Sequence, residues 1–363
     1  MERFPIREGL PVERTPVKWE NTFCGKYRVF AVFLVCAAML IAAFAISAVW
    51  MERGGADWLG GVLGDDGDTS NATPETNGGE IDSEDDTAGD TESESEVEPD
   101  AVFPEGATPI ATLDLSALSL GTEYIHNETP YEANINALLS TSVATRKQSD
   151  KPLVLILHTH TSEAYLPKGT LYVEGNIGDA TYSRDMARNI LSVGEVLCDT
   201  LNKKGITAIH CAVMHDDPTL SGSYLRAAET VKAYLQMYPS IEYVIDLHRD
   251  AVTTSDGAFV RAVTEYDGEE VAQVMAVVGT DCNGTAHENW SGNLALALQL
   301  RSALNQGGEA LCRPVSLRNS SYNQELAKYA LILEIGTAAN SVEEAKRAAT
   351  LVGEALSELI YER

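Results

Sequence analysis

The stretch Pro152-Leu-Val-Leu-Ile-Leu-His-Thr-His160 joins an unbroken apolar run to two histidines. A continuous apolar run of this length is typical of a β-strand that is covered on both faces, as in a parallel sheet. Side chains that directly follow such a strand lie at its carboxyl end, where open α/β sheets bind their ligands. The stretch therefore predicts both the fold class and the position of a functional site.

Outward from this stretch, residues 151–363 alternate strand-like and helix-like segments. Helical spacing predicts helices over 186–204, 221–238, 293–304 and 341–361, and apolar runs predict strands over 206–213, 241–247, 271–278 and 331–335. Strands that alternate with helices favour a mostly parallel central sheet between two helical layers. We therefore predict an α/β domain, a three-layer sandwich, over residues 151–363, preceded by a less patterned lead-in segment over 107–150.

Residues 29–50 are 22 residues without a charge, long enough for a helix across the ~30 Å hydrocarbon core of a bilayer. Lys26 and Arg28 come just before this run, so the positive-inside rule places residues 1–28 in the cytoplasm. We predict one N-terminal transmembrane helix, which makes the protein a single-pass cell-membrane protein whose folded domain is extracytoplasmic. A cleaved signal peptide is the alternative.

An acidic segment follows the predicted membrane helix. Between residues 54 and 105 the chain has 17 carboxylates and no Lys or Arg. Because such a segment cannot bury enough apolar surface to fold, we predict a disordered linker over residues 51–106. The whole chain has a formal net charge of −28, which argues against nucleic-acid binding because phosphates need cations.

Three of the predicted strands lead into residues that can bind a metal ion or transfer a proton. His160 and Glu163 follow the first strand, His248 follows the strand over 241–247, and Glu334 lies in the last strand. Catalytic zinc takes three imidazole or carboxylate ligands and leaves a fourth position for water. His160, Glu163 and His248 match this set, and Glu334 suits the general base. The pattern therefore predicts a hydrolytic Zn2+ site.

Alternatives to these ligands remain open. His158 lies two residues before His160 and points the same way in an extended strand, so either histidine can be the ligand. Glu195 on the first helix can replace Glu163, and His215 is a reserve candidate.

Two carboxylates on these strands also allow more than one interpretation. A carboxylate in an apolar strand is unfavourable unless it is paired or used, so Glu334 can instead be a buried ion-pair partner of Arg249 or Arg318. Asp246, two residues before His248, can accept the spare ring N–H of a ligand histidine.

Four motifs are spaced through this domain: His158-Thr-His-Thr-Ser-Glu-Ala-Tyr165, Asp246-Leu-His-Arg-Asp250, Tyr322-Asn-Gln324 and Leu333-Glu-Ile-Gly336. Together they resemble the stage II sporulation protein P family of endospore-forming bacteria, over roughly residues 153–363. The resemblance implies the fold of the zinc N-acetylmuramoyl-L-alanine amidases, which are related in outline to zinc carboxypeptidases.

The resemblance also implies an activity. Family members are zinc-dependent peptidoglycan hydrolases that cleave the amide between N-acetylmuramic acid and L-alanine, and also peptide cross-links between stems. They act at engulfment during sporulation, beside stage II sporulation proteins D and M, so these two are the expected partners. Glu334 matches the catalytic glutamate. The amidase arrangement favours Glu195 as ligand and the carboxypeptidase arrangement favours Glu163, which we prefer because it lies within the shared motif.

Four residues are candidates for substrate binding. Arg249, beside His248, can pair with a stem-peptide carboxylate. Asn293, Asn323 and Gln324 can hydrogen-bond sugar or peptide amides, or can equally cap a helix or fix a loop. Two other functions remain open: a zinc peptidase acting on another substrate, and a non-catalytic scaffold that binds the cell wall.

Overall fold

The computed structural model describes residues 103–116, 124–143, 150–175, 177–306 and 310–361. The predicted cytoplasmic tail, membrane helix and nearly all of the acidic linker lie outside these residues and stay predictions. Within the described ranges, no helix is both long and apolar enough to cross a bilayer.

Strands and helices alternate through most of the described chain. The strands are β1 (Thr108–Leu113), β2 (Ile125–Asn127), β3 (Val154–Leu157), β4 (Tyr172–Val173), β5 (Ala208–His210), β6 (Tyr243–Asp250), β7 (Phe259–Tyr266), β8 (Glu269–Ala272), β9 (Val274–Gly279), β10 (Val315–Arg318) and β11 (Tyr329–Thr337). The helices are α1 (Ile135–Leu139), α2 (Ile177–Thr181), α3 (Ile190–Lys203), α4 (Ser223–Met237), α5 (Trp290–Leu304) and α6 (Val342–Ile360), with a 3-10 turn at Gln324–Leu326.

The strands form two sheets. The larger sheet has the order β2-β10-β9-β11-β6-β3-β5, and the smaller one has the order β4-β1-β7-β8. In the larger sheet only β9 and β11 pair antiparallel, so the sheet is mostly parallel, as predicted. Strands β1 and β2 come from the predicted lead-in segment, which therefore contributes one strand to each sheet.

The predicted strand over 271–278 changes from one sheet to the other at Gln273. Strand β8 before it pairs with β7, whereas β9 after it pairs with β10 and β11. The buried side chain of Gln273 fixes this crossing, because it accepts from Leu115 N at 2.8 Å and donates to Ala310 O at 2.7 Å. The segment predicted as one strand thus contains two.

Apolar side chains of the larger sheet alternate between two clusters. Val154 and Ile156 pack in the cluster that contains residues of α3, α5 and α6, whereas Leu155 and Leu157 pack with Ala227 of α4. Successive strand residues point to opposite faces, so the two clusters lie on opposite sides of the sheet. Helices cover both faces, which confirms the prediction of a mixed α/β fold.

Helix ends follow the local sequence signals. Asn189 caps α3 by accepting from Leu191 N, and Gly205 takes a left-handed φ of 88° just after the helix ends. Ser341 and Glu344 form a capping box at the start of α6, each side chain accepting from the backbone N–H of the other.

Candidate metal centre

The carboxyl ends of β3, β6 and β11 meet at one edge of the larger sheet, because the three strands are parallel neighbours. His160 and Glu163 follow β3, and the register of β6 with β11 pairs His248 directly with Glu334. Paired residues on neighbouring strands point to the same face. The predicted ligands and the predicted base therefore gather at this edge, which α4 flanks.

His160, Glu163 and His248 lie close together. The rings of His160 and His248 meet edge to face with their centroids 5.2 Å apart, and His248 Nδ1 lies 3.5 Å from Glu163 Oε2. A turn brings Glu163 back towards the strand, since its backbone N–H donates to His160 O at 3.2 Å. On α4, Ser223 Oγ lies 3.3 Å from His160 Nδ1, which leaves Nε2 of the ring for a ligand.

His248 lies between two carboxylates. Its Nε2 is 3.0 Å from Asp246 Oδ1, and Thr159 fixes Asp246 by donating from its N–H and hydroxyl at 2.8 and 2.6 Å. Burial alone would lower the pKa of His248, but Asp246 and Glu163 raise it well above its usual value. Burial alone would raise the pKa of both carboxyl groups, but His248 lowers each pKa to about 2.

Two polar atoms at this edge are buried without a hydrogen-bond partner, His248 Nε2 and Glu334 Oε2. Although His248 Nε2 is close to Asp246, the pair lacks hydrogen-bond geometry. Buried polar atoms without a partner are unfavourable and mark places where an ion, a water or a substrate belongs. Two imidazoles and a carboxylate are the ligands that catalytic zinc takes, so the residues fit zinc by type.

The side chains as they stand are not yet in coordination geometry. Among the described residues, no three His, Cys, Asp or Glu side chains are arranged so that they could hold a metal ion. Metal binding at His160, Glu163 and His248 therefore requires these side chains to adjust.

Glu334 is a buried carboxyl group suited to proton transfer. The pKa of Glu334 is raised to about 8, chiefly by burial. The carboxylates of Asp250 and Glu163 act in the same direction, whereas His248 and Arg313 act in the opposite direction. A pKa near the working pH allows a group both to accept and to return a proton.

The ion-pair alternative for Glu334 is not what the structure shows. Within the described residues, neither Arg249 nor Arg318 pairs with Glu334. Arg249 Nη2 donates to Thr181 O at 2.9 Å, and Arg318 pairs with Glu128 at 2.6 Å. Arg249 thus holds the loop that follows Glu163, and its guanidinium is turned away from the candidate metal centre.

The structure argues against His158 as a metal ligand. Its Nδ1 lies 2.9 Å from Leu247 O, and its Nε2 lies 2.8 Å from His210 Nε2. Because Leu247 O can only accept, His158 Nδ1 carries the proton and Nε2 accepts from His210. Burial and His210 lower the pKa of His158 to about 3. With both nitrogens used, His158 is a structural residue, and His160 is the remaining candidate.

The other alternative ligands are also placed elsewhere. Glu195 is exposed on α3. His215 has its Nδ1 2.7 Å from His158 O and its Nε2 2.9 Å from Thr230 Oγ1. Of the two candidate glutamate ligands, Glu163 is the one that the structure brings to His248.

The three amides predicted to bind substrate are used inside the protein. Asn293 Oδ1 accepts from Ala330 N at 3.0 Å, and Asn323 Nδ2 donates to Tyr224 O at 2.8 Å. Gln324 is buried and makes two hydrogen bonds to β9. This geometry favours the alternative that these side chains fix helices and loops, and it argues against substrate contacts for them and for Arg249.

Gln324→Leu is expected to lower the free energy of unfolding by about 2–4 kcal/mol, because it leaves two buried backbone groups without partners. In the native protein, Gln324 accepts from Gly279 N at 2.9 Å and donates to Val277 O at 3.0 Å. Urea unfolding measures the change. Gln236→Leu on the exposed side of α4 is the control and should have little effect. A stable Gln324→Leu protein would contradict the structural role.

Two tyrosines beside the candidate metal centre were not predicted. The Tyr224 ring lies 5.5 Å from the His160 ring and 5.9 Å from the Tyr322 ring. Tyr322 and Asn323 both take left-handed backbone angles, with φ of 53° and 61°. Such angles are unfavourable outside glycine and concentrate at functional sites. The motif Tyr322-Asn-Gln324 is the available signal in the sequence, but it does not show that the turn lies against Tyr224, the neighbour of His160.

Several solved structures are weakly similar to this chain. Ami1, the N-acetylmuramyl-L-alanine amidase of Mycobacterium abscessus, has a TM-score of 0.36 and 14% identity, covering 58% of this chain and 99% of that one. AmiC2, an amidase of Nostoc punctiforme, has a TM-score of 0.34 and 15% identity, covering 58% of this chain and 96% of that one. An amidase of Clostridium difficile 630 has a TM-score of 0.34 and 14% identity, with 58% and 95% covered.

Sequence comparison identifies the family to which the chain belongs. A curated relative, Stage II sporulation protein P of Bacillus subtilis (strain 168), is 29% identical over 224 residues. The alignment covers 59% of this chain and 52%, or about half, of that relative. The family model described as Stage II sporulation protein P matches residues 66–357, which is most of the chain. This protein therefore belongs to the stage II sporulation protein P family.

Proposed function

We propose that this protein is a zinc-dependent peptidoglycan hydrolase that acts in sporulation. Its expected activity is that of an N-acetylmuramoyl-L-alanine amidase with endopeptidase activity on stem-peptide cross-links, on a fold of the zinc amidase and carboxypeptidase type. The observation that carries the proposal is the meeting of His160, Glu163, His248 and Glu334 at one edge of the sheet. Membership of the stage II sporulation protein P family supports the role in sporulation.

His160, Glu163 and His248 are the residues proposed to hold zinc. When bound, zinc lowers the pKa of a water molecule and polarises the carbonyl that is attacked. Asp246 lies beside His248 Nε2 and is held by Thr159. We propose that Asp246 accepts the ring N–H of His248 once these side chains adjust to bind the metal, a contact that would keep the ligand ring in the orientation that binding needs.

Glu334 is proposed to move the proton. As water attacks the amide carbon, Glu334 accepts the proton that the water loses. When the carbon–nitrogen bond breaks, Glu334 gives that proton to the leaving amine. Its Oε2, buried and without a hydrogen-bond partner, is the atom that we assign to this transfer. A pKa of about 8, raised chiefly by burial, suits Glu334 to accept this proton and then return it.

The cellular setting is part of the proposal. A membrane helix at residues 29–50 and an acidic linker would keep the catalytic domain outside the membrane, where peptidoglycan lies. The charge pattern of the sequence supports this placement. We further propose that the protein acts at engulfment with stage II sporulation proteins D and M.

Incubation of the purified full-length protein with muropeptides tests the proposed activity. We expect release of intact stem peptides from muramic acid, detected by chromatography and mass spectrometry, and loss of this release after treatment with a chelator. Cleavage of peptide bonds alone would indicate a zinc peptidase of another substrate. A folded, zinc-loaded protein that cleaves nothing would indicate a scaffold that binds the cell wall.

A further inference from the structure

Arg313 is a buried cation beside the proposed reaction site. It is only 6% exposed, and its charge acts on the carboxyl group of Glu334. Cys312, the preceding residue, bridges to Val274 and packs in the cluster of α3, α5 and α6. Successive residues of an extended segment point to opposite faces, so Arg313 points to the face that carries Glu334.

Asp250 accepts a hydrogen bond from only one of the three guanidinium nitrogens of Arg313. Arg313 Nη1 donates to Asp250 Oδ2 at 2.8 Å. Nε and Nη2 of Arg313 are buried and have no hydrogen-bond partner among the described residues. These two nitrogens form one edge of the planar group, and this edge matches the two oxygens of a carboxylate.

Another arginine of this chain shows how a carboxylate satisfies the Nε–Nη2 edge of a guanidinium group. Arg261 donates from Nε and Nη2 to the two carboxylate oxygens of Glu344, at 3.3 and 2.8 Å. Arg313 presents the equivalent edge without a carboxylate. Leaving charged donors unpartnered in a buried position is unfavourable. The edge of Arg313 therefore has the chemistry of an anion site that no residue in the described part of the chain completes.

The ion pair of Arg313 and Asp250 lies at a distance from the reacting centre that a nearby residue of the substrate could reach. Asp250 lies two residues beyond His248 on β6 and pairs with Thr337 on β11, so it is about 7 Å further along the strands than the reacting centre. Two residues of extended peptide span about the same distance. Asp250 keeps 19% of its side chain exposed, so this end of the ion pair reaches the protein surface. The Nε–Nη2 edge of Arg313 is buried, so binding of a carboxylate requires neighbouring side chains to move aside.

We propose that the Nε–Nη2 edge of Arg313 binds a substrate carboxylate, on the second residue from the scissile amide. This inference rests on the proposed function, since it takes the reacting centre to be at Glu334. It transfers to Arg313 the role that the sequence suggested for Arg249, whose guanidinium is used for Thr181 O and for stacking on Tyr182. Arg313 would then select acidic stem peptides over their amidated forms.

Two matched ligands test the inference: N-acetylmuramoyl-L-alanyl-D-glutamate and the amide N-acetylmuramoyl-L-alanyl-D-isoglutamine. Binding of each to the full-length Glu334→Gln protein is measured by calorimetry, so that no turnover interferes. We expect the acid to bind roughly tenfold or more tightly than the amide, because a charged hydrogen-bonded pair is lost in the amide. Adding Arg313→Gln should make the two affinities equal.

Two further variants complete the design. Arg313→Lys keeps the positive charge near Asp250 but lacks the two parallel N–H donors of the Nε–Nη2 edge. This variant should remain folded and retain only part of the preference for the acid over the amide. Arg261→Gln, which breaks the comparable pair with Glu344, is the matched control and should leave the preference unchanged. Circular dichroism and thermal unfolding verify that each variant is folded.

Equal binding of the acid and the amide by the Glu334→Gln protein with Arg313 intact would overturn the inference. Binding of neither ligand by this protein would also overturn it. A preference that survives Arg313→Gln would do the same. Failure of the proposed function looks different, because it would show as uncleaved muropeptides with the wild-type protein. The preference for the acid and its dependence on Arg313 would still be measurable in that case.

Discussion

Replacing Glu334 by glutamine is expected to lower the rate of amide hydrolysis by about 10²- to 10⁴-fold, the usual contribution of a general base. Glutamine keeps the shape of the side chain but cannot take a proton from water. The substitution should not unfold the protein, because burial already favours the neutral form of Glu334. Turnover of muropeptides by Glu334→Gln, compared with the wild-type protein at equal zinc content, measures the effect.

A matched control separates this effect from a general loss of charge. Glu343 lies in the first turn of α6 and is exposed, so Glu343→Gln removes one carboxylate without touching the candidate metal centre. Its activity should equal that of the wild-type protein. If Glu334→Gln were fully active while folded, Glu334 would not be the base and the proton transfer proposed for it would have to be abandoned.

Replacing His248 by alanine is expected to remove zinc and hydrolysis together. We expect about one zinc ion per chain in the wild-type protein, as in a catalytic site with three protein ligands. Loss of an outer contact alone weakens metal binding by about 10- to 100-fold, so loss of a ligand should exceed this. The variant also removes the imidazole that lies between the buried carboxylates of Asp246 and Glu163. Metal analysis after dialysis, with circular dichroism to verify folding, measures the loss.

Two other histidines serve as comparisons for this experiment. His126 is exposed on β2 and pairs with Glu128 at 3.1 Å, so His126→Ala should keep its zinc. His158→Ala should also keep its zinc, although it should be less stable because Leu247 O and His210 lose a partner. Zinc retained by His248→Ala, or lost from His158→Ala while that variant is folded, would contradict the assignment.

Much of the fold and the location of the candidate site follow from local patterns. The apolar run before His158 predicted a buried parallel strand, and the polar residues after it predicted a site at the carboxyl end. The strand prediction succeeds because the side-chain period of a strand is a property of neighbouring residues. The functional site itself stays a prediction, although its candidate residues do meet at the carboxyl end of the strand. The pairing of His248 with Glu334 then follows once their two strands are adjacent.

Local patterns fail where a side chain is oriented by a distant segment. His158 and His160 are equivalent in the sequence, yet Leu247 and His210 hold the ring of one, and Ser223 contacts the other. Local patterns also do not show that the predicted strand over 271–278 is divided between two sheets. This division depends on hydrogen bonds of Gln273 with the distant residues Leu115 and Ala310.

The sequence by itself determined the α/β class of this protein, its family and the sheet edge at which the candidate ligands gather. The tertiary structure alone decided which histidine ring, that of His158 or of His160, faces that edge. It also showed that Arg249 is used internally, whereas the Nε–Nη2 edge of Arg313 has no partner within the described ranges. The physical reason is that backbone periodicity is encoded in adjacent residues. The direction of a buried polar side chain depends instead on which donors and acceptors folding brings against it from elsewhere in the chain.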